Sequence, residues 1–390
     1  MSDSNYVKWR DLPTEARRYI LFQTFFSPLV FTWYLIPYLM LIQGIEVIEV
    51  GLIFTLSSLA SAFINVLVGR LLESFTLNYL IFANCFIDSI ALIVYCIGFL
   101  YQNVWFILLA SIVDDISDIF SPSYLMYEYL VYPEKSRERI YLYHNIVPHI
   151  SVILTYPLIG YILSISTHEL MVYSLIFFAL ATLMLSLISL KWLPKVKSSQ
   201  SRNENFRVVT CKTAKSNILF ILTLVILTNL ALSLTPIFII TNLFYEIFGG
   251  GLFELGIYSA IYSMSSILVL SFILKIKRYS AGLFIKLGLL ILTLSNVLIY
   301  LSRDLSHLFL ASILLSIGLN VFQPTYKSIL FSRIPIKHRG ILLGLISGLD
   351  DLIDIASPII AGLIASFNPR APFIVVAILF SLTLLFLKIF

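Results

Sequence analysis

The sequence predicts an all-α protein that crosses a membrane twelve times. Hydrophobic residues make up 59% of the 390-residue chain and charged residues only 12%, and a soluble domain could not cover so much apolar surface. Apolar runs of about 20 residues, the length of a helix that crosses a bilayer, recur between short polar breaks. Strand-type alternation is absent from these runs, so their backbone polar groups must be satisfied within helices.

Each apolar run is interpreted as one membrane span. The twelve runs lie near residues 17–42, 50–70, 78–100, 104–131, 139–164, 169–193, 216–244, 253–275, 280–301, 305–333, 338–366 and 371–389. The polar segment before them, residues 1–16, is too long and too acidic for the charged region of a signal peptide. No cleavage-site pattern follows it, so we expect it to remain attached.

The positions of the basic residues predict the orientation. If the N-terminus is inside, only Arg303 and Arg370 among the 26 basic residues fall on the outer side, which is a strong positive-inside bias. We therefore expect a cell-membrane protein with both termini in the cytoplasm. This topology accounts for the net charge of +5 without a nucleic-acid partner. Cys85, Cys96 and Cys211 show neither a disulfide framework nor metal-ligand spacing.

The chain consists of two related halves. The longest polar break contains KVKSSQSRNEN and separates six runs from the next six. We predict an N-terminal segment (1–16), a six-helix bundle (17–193), a flexible basic linker (194–215) and a second six-helix bundle (216–390). Residues 118–137 align with residues 320–339 without a gap, at an offset of 202. A repeat of six spans gives both halves the same orientation, related by a pseudo-twofold axis along the membrane normal.

The repeated motifs resemble those of the major facilitator superfamily. In spans four and ten a proline is followed eleven residues later by another proline and fifteen residues later by an arginine, and an acidic residue precedes a glycine near the start of spans two and eight. These residues are Pro122, Pro133, Arg137, Pro324, Pro335, Arg339, Glu49, Gly51, Glu254 and Gly256. The resemblance covers essentially the whole chain. It implies a transporter that works by alternating access, with gating loops that contain Gly69, Glu73, Arg137 and Arg339.

Six aspartates stand inside apolar runs, in the strings DDISDIFSP at 114–122 and DDLIDIASP at 350–358. An ionised carboxylate is costly in hydrocarbon, so such residues indicate a functional site. The first and third aspartates of each string lie one helical turn apart on one face, and the middle one is turned by about 100°. We expect the pairs Asp114–Asp118 and Asp350–Asp354 to hold a proton or bind a cation, because close carboxylates repel in a low dielectric.

Counting from the span ends places other polar residues at the same depth. His149 and Asn320 lie near the level of Asp118, Asp351 and Asp354. Histidine exchanges its proton near neutral pH, so His149 is a candidate partner of the acids. The predicted ion-coupling residues are Asp114, Asp118, Asp350, Asp351, Asp354 and His149.

The two aspartate strings are not related by the repeat. They lie 236 residues apart, whereas the offset of 202 pairs Asp118 with Asn320 and Asp351 with His149. Each half therefore brings an acid cluster to the same depth on a different helix. The sequence leaves open which cluster binds the coupling ion and which one meets the substrate.

Polar and aromatic residues near mid-span are the candidates for substrate binding. They are Tyr34, Asp115, Tyr124, Asn320 and Tyr326. Aromatic rings can hold a cation, but most membrane aromatics are interfacial anchors or core. Single polar residues such as Asp88, His144 and Asn320 often only join helices through hydrogen bonds, and Glu128 is expected to pair with a loop cation. No lysine or arginine lies at mid-span, which disfavours anionic substrates.

We predict a secondary transporter for a small cationic, zwitterionic or neutral amphipathic solute, coupled to protons or sodium. The alternative is a divalent-metal transporter of the same fold, with Asp118, His149 and Asp354 as ligands. A prenyltransferase that binds magnesium diphosphate is disfavoured because no cation adjoins the DDxxD strings, and a non-transporting receptor is a further alternative. No soluble-type catalytic motif is present, so we predict no enzymatic activity and no cofactor. The expected partners are the solute, the coupling ion and the lipid bilayer, and we expect a monomer.

Overall fold

The computed structural model describes residues 9–72, 75–133, 137–196, 215–273, 280–333 and 339–389. The regular elements within these ranges are helices. They are α1 (Thr14–Phe26), α2 (Thr32–Ile42), α3 (Val47–Leu72), α4 (Leu77–Leu100), α5 (Val104–Asp118), α6 (Pro122–Val131), α7 (Arg137–Ser164), α8 (His168–Trp192), α9 (Lys215–Ser233), α10 (Ile237–Phe248), α11 (Leu252–Ile273), α12 (Ala281–Tyr300), α13 (Leu305–Arg333), α14 (Arg339–Phe367) and α15 (Ala371–Ile389).

These helices confirm the prediction of an all-α protein with twelve membrane spans. Nine helical stretches among the described residues are long and apolar enough to cross a membrane. The other three correspond to spans four, eleven and twelve. Spans four and eleven carry the aspartate strings, and the apolar stretch counted in span twelve, Ala371–Leu387, is shorter than the other spans.

Three spans are divided into two helical segments, whereas the sequence analysis treats each as one helix. Span one contains a 3-10 helix at Ser27–Phe31, span four is interrupted after Asp118, and span seven is interrupted between α9 and α10. Each interruption has a proline at or just before the start of the following segment: Pro28, Pro122 and Pro236. Proline lacks the N–H that would continue the helix and clashes with the preceding turn, so it favours a break. Proline alone does not impose one, because α2, α7, α13 and α14 each continue through a proline.

The chain divides into two compact units. Unit 1 comprises residues 1–39 and 56–202, and unit 2 comprises residues 40–55 and 203–390. The core of unit 1 includes Leu12, Ala16 and Tyr19 at its N-terminal end together with Tyr127 of α6, all of them at most 3% exposed. The short segment before α1 is therefore packed into the unit.

Close packing in unit 2 depends on small residues between α12 and α13. A methyl group placed on Gly288 would lie 2.8 Å from Cβ and 2.9 Å from Cα of Phe322. One placed on Gly318 would lie 2.8 Å from the side chain of Leu292. Each helix therefore contributes a glycine to the contact, and backbone approach of this kind is typical of membrane helices.

We expect Gly288→Val to lower the free energy of unfolding by about 1–3 kcal/mol, because the side chain would displace the backbone of α13. Gly282→Val is the matched control, since only the Ser280 hydroxyl, at 3.9 Å, lies near its site on the same helix. Thermal unfolding in detergent tests the difference. Equal melting temperatures for the two variants would contradict the packing argument.

A carboxylate outside the predicted spans orders the start of α13. Asp304 Oδ1 accepts hydrogen bonds from the hydroxyl of Ser306 at 2.6 Å, from Nδ1 of His307 at 2.9 Å and from the backbone N–H of His307 at 3.2 Å. These bonds from Ser306 and then His307 lower the pKa of Asp304 to about 2.

We expect the ordering of this helix end to depend on pH. Because the folded-state pKa lies below the usual value of about 3.9, the ordering is complete above about pH 4 and is lost as the pH falls towards 2. Hydrogen exchange of the His307 amide should accelerate over this interval. In Asp304→Asn the acceptor does not titrate, and the same acceleration in that variant would exclude Asp304 as its source.

Candidate functional site

Four aspartates of unit 1 form an acidic cluster between α4 and α5. Asp88 lies on α4, and Asp114, Asp115 and Asp118 lie on the last turns of α5. Asp88 and Asp118 both lie close enough to Asp114 to act on it electrostatically. The structure therefore adds Asp88 to the residues that the sequence predicted for this site.

Asp115 faces α3 and is held there by serines. Its Oδ2 accepts hydrogen bonds from the hydroxyls of Ser57 at 2.7 Å and Ser58 at 2.9 Å. The Ser111 hydroxyl donates to that of Ser57 at 2.9 Å. The middle aspartate of the string thus points away from the Asp114–Asp118 face, as the helical period requires. Its hydrogen bonds attach α5 to α3.

The interruption of span four lies directly beside the acidic cluster. The amide of Asn84 on α4 donates to the backbone carbonyl of Ser117 at 2.9 Å, and the N–H of Phe120 donates to the same carbonyl at 2.9 Å. The Tyr124 hydroxyl donates to Oδ1 of Asn84 at 2.6 Å, and Cys85 Sγ lies 3.4 Å from that hydroxyl. A side-chain amide thus satisfies a carbonyl at the break. The same contacts place Tyr124, a predicted substrate residue, in the packing between α4 and α6.

The geometry of the break favours positive charge. The last carbonyls of α5 accept hydrogen bonds from the N–H groups of Ile119, Phe120 and Ser121, and the C-terminus of a helix carries a partial negative charge. Four carboxylates adjoin this end. Among the described residues, none of the four forms an ion pair with lysine or arginine. Clusters of carboxylates within membrane helices are typical of sites that bind a proton or a small cation.

Unit 2 carries a second set of acids on α14, facing α9. The amide of Asn229 donates to Oδ1 of Asp350, and the hydroxyl of Ser233 donates to Oδ1 of Asp354 at 2.7 Å. The two donors are one helical turn apart, as are the two acids, so the pairs form a ladder between α9 and α14. Asp351 and Asp354 are exposed and Asp350 is half-buried. Tyr326 of α13 lies close enough to Asp350 to interact electrostatically.

The similar strings DDISDIFSP and DDLIDIASP adopt different structures. The first ends α5 and starts α6 at Pro122, whereas the second lies within the continuous helix α14, which includes Pro358. In α14 the Ser357 hydroxyl donates to the carbonyl of Ile353, and the N–H of Ile359 donates to Oγ1 of Thr55 at 3.1 Å. Local polar groups therefore satisfy the backbone around the second proline without a break.

The repeat predicted from the sequence is reflected in hydrogen bonds, but with different chemistry in the two units. At the offset of 202, Ser316 and Asn320 correspond to Asp114 and Asp118. Asn320 Nδ2 donates to Oγ of Ser266 on α11 at 3.0 Å, and the hydroxyls of Ser266 and Ser316 lie 2.7 Å apart. Unit 2 thus has a neutral ladder between α11 and α13. These contacts match the helix-joining role that the sequence left open for Asn320.

The structure does not assign the remaining predicted residues to either set of acids. His149 is half-buried on α7, and Tyr34 packs edge-on against Tyr156 with ring centroids 6.3 Å apart. Gly69, Arg137 and Arg339 lie on helices, and Glu73 lies outside the described residues. Within the part of the chain that is described, no three His, Cys, Asp or Glu side chains are placed to hold one metal ion. The ligands predicted for a metal draw on both units, with Asp118 and His149 in unit 1 and Asp354 in unit 2, and that set stays a prediction.

Sequence reasoning missed the neutral partners of the acids. The aspartates accept hydrogen bonds from Ser57, Ser58, Asn229 and Ser233. Asn84 donates to the Ser117 carbonyl beside them. A signal was present, because each polar residue stands within an apolar run. Serine is common in membrane helices, however, so depth alone does not distinguish a partner of an acid from a helix contact.

Comparison with known proteins identifies the architecture. The sequence profile of the Major Facilitator Superfamily matches residues 20–349. A variant of the nucleoside transporter NupG is 15% identical, with 96% of this chain and 98% of that chain covered and a TM-score of 0.71. A bacterial homologue of the iron transporter ferroportin, in an inward-facing state, is 14% identical, with coverage of 96% and 97% and a TM-score of 0.70.

A POT family transporter in complex with 5-aminolevulinic acid is also similar, at 13% identity, with 98% of this chain and 96% of that chain covered and a TM-score of 0.69. No curated protein matches the chain in sequence. At these identities the structural likeness establishes the fold alone.

The hydrogen bonds at the span-four break generate a prediction about stability. We expect Asn84→Leu to lower the free energy of unfolding by about 1–3 kcal/mol, because it removes the side-chain donor to a carbonyl at the break. Tyr124→Phe is the control, since it removes the contact to Asn84 and leaves the bond from Asn84 to Ser117 intact. Thermal unfolding should show a clearly smaller effect for Tyr124→Phe, and an equal effect would contradict this role of Asn84.

Proposed function

The chain belongs to the Major Facilitator Superfamily, whose profile matches residues 20–349, and we propose that it is an ion-coupled secondary transporter for a small cationic, zwitterionic or neutral amphipathic solute. Membership of this family supports a multi-pass membrane transporter, and we propose no enzymatic activity. The coupling ion, the solute class and the roles of the acids are the proposed part. In this proposal the acidic cluster of unit 1 binds a proton or sodium ion, and the acids of α14 meet the solute.

The observation that carries the proposal is the convergence of Asp88, Asp114, Asp115 and Asp118 beside the end of a half-helix. Adjacent carboxylates in a low dielectric cannot all remain ionised without a counter-charge. Their described partners include the neutral hydroxyls of Ser57 and Ser58, which orient a carboxylate without cancelling its charge. A proton or a small cation is therefore required to complete the cluster.

The acids of α14 suit a solute better than a buried ion. Asp351 and Asp354 are exposed, and the described partner of Asp354 is the neutral hydroxyl of Ser233. An exposed, uncompensated carboxylate beside hydrogen-bonding groups attracts an ammonium or another positively charged group. In unit 1 three of the four acids, Asp88, Asp114 and Asp115, are half-buried and Asp118 is exposed, whereas two of the three acids of α14 are exposed. This smaller exposure of the unit 1 cluster supports the division of roles.

The structural neighbours do not select the solute. One is described as a nucleoside transporter, one as a homologue of an iron transporter and one in complex with 5-aminolevulinic acid, so the fold accommodates several kinds of cargo. The proposed solute class therefore rests on the acidic residues of this chain's own spans. The positive-inside bias further supports a cell-membrane location with both termini cytoplasmic, and we propose a monomer.

We expect Asp118→Asn to abolish ion-gradient-driven accumulation of solute in liposomes while counterflow persists, because exchange of solute needs no net ion movement. The probe solutes are an alkylammonium ion, a neutral nucleoside and a carboxylate of similar size. Radiolabelled uptake should rank the carboxylate last. Glu169→Gln, which changes an exposed acid at the start of α8, is the control and should leave both activities unchanged.

We expect Asp354→Asn to act on the solute rather than on coupling. Loss of a charge-assisted contact should raise the concentration for half-maximal counterflow of the alkylammonium probe by roughly tenfold or more, with a smaller change for the nucleoside. The division of roles is wrong if Asp354→Asn instead abolishes ion coupling and Asp118→Asn changes only solute affinity. Absence of gradient-driven flux for every probe would contradict the transport proposal as a whole.

A further inference from the structure

A second polar network in unit 1 lies near the other end of α6. The Tyr19 hydroxyl of α1 donates to Oε1 of Glu128 at 3.0 Å, and Nε2 of His144 on α7 lies 3.6 Å from the same oxygen. Glu128 is only 8% exposed. The sequence suggested a loop cation as its partner, whereas the structure places Glu128 among groups of spans one and five. The network therefore joins α1, α6 and α7.

Several hydrogen bonds of this network lead to the carboxylate of Glu128. Gln23 Nε2 donates to the Tyr19 oxygen at 3.0 Å, so the Tyr19 proton is available for Glu128. The side chain of Tyr141 also forms a hydrogen bond with Glu128. Nδ1 of His144 lies 2.9 Å from the Tyr132 hydroxyl. Both nitrogens of His144 are thus engaged, one towards a tyrosine and one towards the acid.

The charges in this network do not balance without a proton. Among the described residues, no lysine or arginine forms an ion pair with Glu128. The titratable groups that face Glu128 are Tyr19, Tyr141 and His144, and Tyr132 faces both His144 and Glu128. Glu15 and Arg18, which carry opposite charges, act on the adjacent Tyr127.

One proton resolves this imbalance. With Glu128 ionised and His144 neutral, the pair has a net charge of −1, which is costly to bury. A proton on either residue makes the pair neutral, and the 3.6 Å separation allows the two groups to titrate as one site. Histidine is the side chain best suited to exchange a proton near neutral pH.

We propose that Glu128 and His144 form a site that binds one proton and thereby fastens α1, α6 and α7 to one another. The protonated form buries a neutral pair, and the deprotonated form buries a charge. The connection between the three helices is therefore strongest at low pH and weakens as the pH rises. This site is separate from the acidic cluster, and its proton exchange requires neither a solute nor the coupling assigned to Asp118.

The test measures proton uptake by the full-length protein in liposomes without any solute. Infrared difference spectra between about pH 8 and about pH 5, where a histidine-coupled site titrates, report protonation of carboxyl and imidazole groups. We expect Glu128→Gln, which preserves size and can still accept from Tyr19, to remove one titrating signal. Identical difference spectra for wild type and Glu128→Gln would overturn the proposal.

A second variant tests the site with both titrating groups still present. Tyr19→Phe removes one donor to the carboxylate, so the same signal should appear at a pH higher by roughly one unit. If Glu128 only joined helices and bound no proton, Tyr19→Phe would not change the pH at which this signal appears. Asp118→Asn should leave the signal unchanged, so a failure of the ion-coupling proposal and a failure of this one are distinguishable.

Discussion

The cost of a carboxylate in a low-dielectric environment is the constraint on which the polar interior of this protein depends. Acids on α4, α5, α6 and α14 lie within spans, and their described hydrogen-bond donors are neutral serine, asparagine and tyrosine side chains. Such donors orient the acids without cancelling their charge. The unbalanced charge leaves proton or cation binding as the way to lower the cost, which is the physical basis for coupling an ion gradient to movement of a solute.

The two aspartate strings are each followed by a proline, but only the first string ends at a helix break. Pro122 ends the hydrogen-bond ladder of span four one turn after the aspartates, and Asn84 supplies a donor to the carbonyl of Ser117 beside the break. Pro358 follows an equally acidic string, but α14 continues through it because Ser357 and Thr55 satisfy nearby backbone groups. Neighbouring side chains, rather than the proline alone, therefore decide whether a span is interrupted.

The sequence predicts the fold well because a bilayer imposes simple rules of length and composition. Twelve apolar runs, the aspartate pairs one turn apart and the offset of 202 all follow from the order of residues. The partners of the acids do not follow, because they depend on which helices are neighbours. Asp115 contacts α3 and Asp350 contacts α9, and no periodicity within a single span encodes those contacts. For Glu128 the sequence suggested a loop cation, and the partners that the structure describes are tyrosines and a histidine, which depend on helix packing in the same way.

The neutral ladder of Ser266, Ser316 and Asn320 in unit 2 has a consequence for the response to voltage. A membrane potential does work only on groups that carry charge. The equivalent positions in unit 1 are Asp114 and Asp118, which carry charge when ionised and lose it when the proposed proton binds. The electric field can therefore act on these two positions of span four, whereas the matching positions of span ten offer it no formal charge. The two repeated halves therefore differ in charge at equivalent positions. A membrane potential exerts a force on the carboxylates of unit 1 and no equivalent force on the serine and asparagine of unit 2.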